Sequence, residues 1–98
     1  MVVVRIEHQV PDYTTWKQAF DSDPVGREQS GVLRYRILRA IDDPNYVMID
    51  LEFDSVERAE AFVGSMQGVW GRVQGMLISD PRARIAEPDE AKDYRASD

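Results

Sequence analysis

The chain has 98 residues, of which 43% are hydrophobic and 31% are charged, and its formal net charge is −6. This length suits one domain, because two halves would each be too small to stabilise a core. The acidic balance disfavours nucleic acid and anionic membranes as partners, and no apolar run approaches the roughly 20 residues that cross a bilayer. The sequence contains no cysteine, which excludes disulfides and thiolate sites and is typical of a cytoplasmic protein.

The chain begins with a predicted strand and helix. Residues 2–8 alternate in polarity, and because no basic segment precedes the valines, we interpret them as a strand rather than a secretory signal. Pro11 ends this strand, and Asp12 is placed to cap a helix over residues 13–20. The apolar stripe of that helix contains Tyr13, Trp16, Ala19 and Phe20.

A short helical turn and a hairpin are predicted next. Asp23 followed by proline is typical of a helix start, so we expect a helical turn over residues 24–29 that Gly31 ends. Residues 32–40 and 46–53 alternate in polarity on either side of an Asp-Asp-Pro-Asn turn. This pattern predicts a β-hairpin.

The second half begins with a capping-box spacing at residues 54–57. The buried stripe of the following helix is predicted to be Val56, Ala59, Phe62, Val63 and Met66. Four glycines from Gly64 onwards predict a broken helix or an ordered loop around Trp70 and Val73. Pro81 introduces a last strand at residues 82–87. We therefore predict one domain over residues 1–87 and a polar tail over residues 88–98.

The βαββαβ order predicts an α+β, ferredoxin-like fold, with a four-stranded antiparallel sheet and both helices on one face. Aligning the apolar faces of the hairpin strands pairs Arg36 with Asp50 and Arg34 with Glu52. With Arg5 and Glu7 of the first strand, these residues give the opposite face of the sheet a largely charged surface that is roughly balanced in sign.

Three interpretations of this charged face remain open. In the first interpretation it is a solvated face, as in many antiparallel sheets. In the second it is a dimer interface in which the arginine and carboxylate pairs are buried with all their hydrogen bonds made. The third interpretation, a carboxylate metal site formed by Glu7, Asp50 and Glu52, is disfavoured because the neighbouring arginines would compete with a cation. We predict no metal site.

Several segments in order resemble one known family. They are His8-Gln9-Val10, the Asp-Tyr-x-x-Trp-Lys-x-x-Phe-Asp run at residues 12–21, Gly-Val-x-x-Tyr-x-x-x-Arg at 31–39, Asp-Asp-Pro-Asn at 42–45, Leu-Glu-Phe-Asp-Ser at 51–55 and Ala-x-Ala-Phe at 59–62. Together they resemble the antibiotic-biosynthesis-monooxygenase-like members of the dimeric α/β-barrel superfamily. The resemblance implies a homodimer that joins through the charged sheet face, with a ligand cavity between sheet and helices in each subunit.

The family includes cofactor-independent oxygenases of polycyclic phenols, haem-degrading enzymes, and small isomerases or cyclases. Haem-degrading members carry a ligating histidine on the second helical half, and this sequence has no histidine besides His8. Tyr35 and Trp70 correspond to positions where the oxygenases orient their substrate. The resemblance therefore implies a small aromatic ligand and no cofactor.

Each candidate site residue also has a structural interpretation. His8 is suited to acid/base catalysis near neutral pH, and its alternative is a neutral histidine at the edge of the core. Tyr13, Trp16 and Phe20 are candidate substrate-binding rings or simple helix–sheet core. Trp70 is a substrate contact or the anchor of a loop. Arg27 and Arg39 would counter an acidic substrate or are simply exposed.

Two functions follow from these observations. The first is a small-molecule-binding protein of monooxygenase or isomerase type, in which His8 acts on a planar aromatic or quinone-like compound oriented by Tyr35 and Trp70. The second is a non-catalytic dimeric binding or assembly module. Fold alone does not choose between them.

Overall fold

A computed structural model describes residues 1–95. Its elements are β1 (Val2–Gln9), α1 (Tyr13–Asp21), β2 (Arg34–Arg39), β3 (Tyr46–Phe53), α2 (Val56–Val73) and β4 (Ser79–Ala86). The predicted βαββαβ order is confirmed, and the bounds of β1, α1 and β3 agree with the sequence patterns to within a residue.

The four strands form one antiparallel sheet in the order β2-β3-β1-β4. The hairpin register is the one that aligning the apolar faces requires, with Arg34 opposite Glu52 and Arg36 opposite Asp50. Even-numbered residues of β1 are buried, whereas odd-numbered residues are more exposed. We call the first side the inner face and the second side the outer face.

Both helices cover the inner face, as predicted. The ring of Trp16 in α1 packs on His8 of β1, and Phe62 of α2 packs on Phe53 of β3 with 5.3 Å between ring centroids. The buried core contains Val2, Val4, Ile6, Val10, Trp16, Val47, Ile49, Leu51, Phe53, Ala59, Phe62, Trp70 and Ile78. The core thus lies between the sheet and the helices.

Side-chain caps fix where the helices begin. The Asp12 carboxylate accepts hydrogen bonds from the backbone N–H and the hydroxyl of Thr15, at 2.9 and 2.6 Å. Ser55 caps α2 by accepting from the backbone N–H of Arg58 at 3.2 Å. The third helical position of α2 is therefore an arginine rather than the acidic residue of a capping box, and the predicted capping box is not formed.

The predicted helical turn over residues 24–29 is wrong. Residues 22–31 form consecutive turns, which we call the turn segment. Asp23 has φ 55° and Gly26 has φ 75°, and these left-handed conformations interrupt a right-handed helix after less than one turn. The Asp23 carboxylate still accepts from the backbone N–H of Arg27, at 2.9 Å.

The predicted break in the second helix is also wrong. α2 continues without interruption to Val73, and Gly64, Gly68 and Gly71 are all helical. Each glycine weakens a helix by about 1 kcal/mol relative to alanine, and the buried face of α2 compensates for this cost by packing on the core. The helix ends where Gly75 adopts φ 85°.

β4 starts at Ser79, three residues before the predicted strand, and includes Pro81. A proline fits there because β4 is an edge strand: the edge that faces away from β1 has no neighbouring strand, so the N–H that proline lacks is not needed there. Residues 87–95 follow as an exposed segment outside any helix or strand. The division into a domain at 1–87 and a tail at 88–98 stays a prediction, and residues 96–98 lie outside the described part.

Neither helix in residues 1–95 combines the length and apolar character that a membrane span requires.

Candidate functional site

A cavity of about 280 Å³ lies between the inner face of the sheet, the two helices and the turn segment. Ile6, Ile49 and Leu51 contribute the sheet side of its lining. His8 of β1 also lies on the sheet side, and the remaining walls contain Trp16, Ala19, Phe20, Ser22, Asp23, Pro24, Val25, Arg27, Phe62, Met66, Val69, Trp70, Arg72, Val73, Leu77 and Ile78. A concave, mostly apolar cavity with a few polar groups is the usual form of a small-ligand site.

His8 is the titratable group at the sheet side of this cavity. The strand periodicity turns its side chain to the inner face, where only 3% of the residue is exposed. Its ring meets Trp16 edge-on, with 5.5 Å between the centroids. Among the described residues, His8 Nδ1 is the buried side-chain nitrogen or oxygen atom that has no hydrogen-bond partner.

Burial lowers the pKa of His8 from 6.5 to about 4, because the charged imidazolium loses its hydration there. The imidazole is therefore neutral at pH 7 and carries one N–H donor and one acceptor nitrogen. An unpartnered nitrogen in a dry environment is unfavourable for folding, and the surrounding side chains screen His8 Nδ1 from solvent.

Aromatic rings continue from His8 along α1 towards β2. Trp16 lies 5.7 Å from Tyr13 and 5.2 Å from Phe20, and Phe20 lies 5.2 Å from Tyr35, measured between ring centroids. Trp16 and Phe20 line the cavity, and Trp70 lines it from α2. The cavity lining does not include Tyr13 or Tyr35, whose rings support Trp16 and Phe20 from outside. Substrate binding by these five residues stays a prediction.

The two arginines that the sequence singled out have different positions. Arg27 lines the cavity, and its side chain is only 16% exposed. Arg39 lies outside the cavity lining, where its guanidinium carbon is 3.8 Å from the centroid of the Tyr13 ring and its Nε donates to the Pro44 carbonyl at 2.8 Å. The turn segment, rather than any helix or strand, brings Arg27 to the site.

The sequence pattern indicated Phe62, Met66 and Trp70 but not the other half of the wall that α2 provides. Val69, Arg72 and Val73 lie among the glycines that predicted a broken helix, and that prediction did not place them on a continuous face. Leu77 and Ile78 complete this wall before β4 begins. The heptad-like spacing of Phe62, Met66, Val69 and Val73 is the signal that indicates the continuous face.

The outer face carries the predicted ion pairs. Arg5 holds Asp50 through Nε and Nη2 at 2.7 and 2.8 Å, and Arg36 adds contacts of 3.3 Å to the same carboxylate. Arg34 Nε donates to Glu52 at 2.7 Å. The hydrogen bond from Arg5 is the main reason that the pKa of Asp50 lies below its usual value.

β4 adds two charges that the sequence prediction omitted. Arg84 is opposite Arg5, and Arg82 is opposite Glu7, so both belong to the outer face. The face is therefore not balanced in sign: its five arginines exceed its three carboxylates by two. Among the described residues, no group of three or more histidine, aspartate and glutamate side chains is placed to hold a metal ion.

Solved structures share this arrangement of strands and helices. A candidate antibiotic biosynthesis monooxygenase from Deinococcus radiodurans has a TM-score of 0.72 and 16% identity, over 95% of this chain and 97% of that one. SnoaB, a cofactor-independent oxygenase from Streptomyces nogalater, has a TM-score of 0.68 and 11% identity over 92% and 94%. A dimeric ferredoxin-like protein from an uncultured marine organism has a TM-score of 0.60 and 10% identity over 94% and 98%.

No protein-family model matches the sequence, and the curated proteins give no match either. Identities of 10 to 16% carry information about fold and not about chemistry. Within that limit, the chain has the ferredoxin-like fold of the antibiotic-biosynthesis-monooxygenase-like proteins.

Proposed function

We propose that the cavity binds a small planar aromatic or quinone-like compound and that the protein acts on it as a cofactor-independent, monooxygenase-like enzyme. The observation that carries this proposal is the cavity itself, whose lining combines a neutral histidine with apolar and aromatic side chains. At about 280 Å³, the volume is close to the lower end of the range of roughly 300–1,000 Å³ for ligand pockets. A compound of two or three fused rings is the appropriate size class.

Trp16, Phe20 and Trp70 supply ring surfaces for such a ligand, because offset or edge contacts between aromatic rings add about 0.5–1.5 kcal/mol each beyond burial. His8 is the group that could exchange a proton with it. Burial makes His8 a weak base, but an enolate or phenolate beside it would raise its proton affinity, since an opposite charge stabilises imidazolium.

Oxygenation without a cofactor requires the substrate to supply all the electrons. In a balanced reaction, a ring CH₂ group becomes a carbonyl, one atom of dioxygen enters it, and the other leaves as water with the two hydrogens. Proton removal by His8 would start this reaction by making the ring carbon electron-rich. SnoaB, which shares this fold, is a cofactor-independent oxygenase, and we adopt its class of chemistry as the proposal to be tested.

The test is a binding and oxygen-uptake assay with anthrone and 1,4-naphthoquinone as probes. Quenching of tryptophan fluorescence reports occupancy, because Trp16 and Trp70 line the cavity. Ala19 also lines it, so Ala19→Phe is expected to abolish binding, whereas Ala61→Phe on the exposed side of α2 should leave binding unchanged. If neither probe binds the wild type, or if Ala19→Phe binds as well as Ala61→Phe, the proposed ligand class is wrong.

The competing proposal is a non-catalytic dimeric binding or assembly module. A sealed core would favour it, and the cavity argues instead for a ligand. Binding of a probe without oxygen uptake above its uncatalysed rate would favour the binding module over the enzyme, whereas catalysed uptake that His8→Gln does not change would remove only the proposed role of His8.

We also propose that the protein is a homodimer that joins through the outer face. Asp50 is only 8% exposed and already has two arginine partners, so this face can be covered without leaving that carboxylate unpaired. The likeness to a dimeric ferredoxin-like protein supports the same assembly. Sedimentation at micromolar concentration tests it, and a monomeric wild type would contradict it. A cytoplasmic location remains a prediction from the absence of cysteine.

A further inference from the structure

Arg27 is the cationic group of the cavity with the most restricted geometry. Its guanidinium carbon lies 3.9 Å from the centroid of the Phe20 ring and 5.1 Å from that of Tyr35, so aromatic rings pack against the guanidinium. Its Nη1 donates to the Phe20 carbonyl at 2.9 Å and lies 3.5 Å from the Asp23 carboxylate. These contacts hold the side chain in one orientation at the cavity wall.

One edge of this guanidinium has no protein partner. Within residues 1–95, Nε and Nη2 of Arg27 make no hydrogen bond to another group. These two nitrogens are not completely buried either. Among the described side chains, His8 Nδ1 is the one nitrogen or oxygen atom that is both completely buried and without a hydrogen-bond partner. The N–H groups of this edge are therefore not completely buried, and they belong to a residue that lines the cavity.

The same edge of another arginine shows what it binds. Arg5 uses its Nε and Nη2 to hold both oxygens of Asp50, at 2.7 and 2.8 Å. Two parallel N–H groups at this spacing match the two oxygens of a carboxylate, and such a paired contact is stronger and more directional than one to a neutral group.

The charges around the cavity also favour an anion. Its ionisable lining residues are Asp23, Arg27 and Arg72, together with His8, which is neutral at pH 7. Arg72 makes no ion pair within residues 1–95, so the lining has an excess of one positive charge in a chain of net charge −6. An acidic protein that keeps a positive lining at its apolar cavity is arranged to attract an anionic ligand.

We propose that the ligand is an aromatic carboxylate whose carboxylate group binds the Nε–Nη2 edge of Arg27 while its rings lie against Trp16 and Phe20. This inference rests on the proposed aromatic-ligand function and adds the charge and the recognition element. Arg27 is then the residue that selects anionic over neutral aromatic compounds.

The test compares two ligands of the same shape, 2-naphthoate and naphthalene-2-carboxamide, by tryptophan fluorescence titration at pH 7.5. We expect the wild type to bind the carboxylate about tenfold or more tightly, because a charge-assisted paired contact exceeds a neutral one by at least that factor. Arg27→Gln should remove this preference. Arg27→Lys keeps the positive charge but lacks the two parallel N–H groups, so it should retain only part of the preference for the carboxylate.

Arg39→Gln is the matched control, because Arg39 also stacks on a tyrosine ring and donates to a backbone carbonyl but does not line the cavity. It should leave the preference for the carboxylate unchanged. Thermal unfolding of each variant identifies any loss of the turn segment, and Arg27→Lys provides the result if Arg27→Gln does not fold.

The outcomes separate this inference from the proposed function. Equal binding of the two compounds by the wild type, or a preference that survives in Arg27→Gln, overturns the carboxylate proposal and leaves the aromatic-ligand cavity standing. Absence of binding by both compounds and by 1,4-naphthoquinone overturns both proposals.

Discussion

Burial of His8 predicts that the protein loses stability in mild acid. The folded-state pKa of about 4 lies below the ordinary value of 6.5 that applies in the unfolded chain. As the pH falls through 6.5, His8 becomes protonated in the unfolded state but stays neutral in the folded state, so the equilibrium shifts towards unfolding. This contribution is absent above about pH 7.5, grows down to the folded-state pKa and is complete below it.

The magnitude follows from the two pKa values. Each tenfold difference in proton affinity corresponds to about 1.4 kcal/mol, so the full loss is about 3 kcal/mol, of which roughly 2 kcal/mol is reached at pH 5. A domain of this size has a total stability of about 5–15 kcal/mol, and such a loss is readily measured. Urea unfolding at intervals between pH 7.5 and 4.5 gives the free energy of unfolding at each pH.

The variant His8→Gln isolates this effect, because it removes the only histidine in the sequence. Glutamine also changes the packing, which shifts the stability by the same amount at every pH, but it cannot titrate. We expect the wild-type curve to fall by about 2 kcal/mol more than the variant curve between pH 7.5 and 5. Parallel curves, or a pKa near 6.5 from NMR titration of the imidazole, would refute the argument that burial keeps His8 neutral.

Three further substitutions test other parts of the fold. Asp50→Ala leaves its arginine partners unpaired: if the outer face is a dimer interface, it should cost about 3–5 kcal/mol and weaken dimerisation in sedimentation. A cost of about 1 kcal/mol or less, like that of the exposed control Glu60→Ala, would show that this face is solvated. Gly68→Ala should raise the free energy of unfolding by about 0.5–1 kcal/mol, because a side chain there meets nothing within 4 Å. Asp12→Ala should lower it by about 1 kcal/mol through loss of the α1 cap, and an unchanged urea midpoint would contradict this role.

Alternating polarity is why the sheet could be predicted in detail. Aligning the apolar faces of the hairpin allows only registers of one parity, and pairing Arg34 with Glu52 and Arg36 with Asp50 selects one of them. The parity of β1 likewise turned His8 towards the helices. These predictions depend on a two-residue period that any long strand with one buried face must show.

The errors arose where local preference competes with tertiary packing. Glycines predicted a broken second helix, but the packing of Phe62 and Trp70 on the core keeps α2 continuous. An Asp-Pro pair predicted a helical turn at residue 24, but Gly26 turns the backbone into the left-handed region. Both segments border the cavity, which is why Val69, Arg72 and Val73 were not recognised as part of its wall, although Trp70 on the same helix was a candidate.

The position of Arg27 illustrates a different limit. The sequence marks it as a candidate cation, but its fixed orientation depends on the rings of Phe20 and Tyr35, which come from a helix and a strand. No spacing along the chain encodes that contact. The outer-face role of Arg82 and Arg84 was missed for a related reason, since it depends on how β4 pairs with β1.

The glycines of α2 bear on how fast the proposed ligand would exchange. Gly64, Gly68 and Gly71 have open space around them, while Met66, Val69 and Val73 on the same stretch of helix line the cavity. This stretch is the part of the wall that costs least to unwind, because each glycine reduces helix stability by about 1 kcal/mol relative to alanine. If the proposed ligand binds here, we expect its residence time to depend partly on residues that do not touch it, so that release could change without a change in the surface that recognises it.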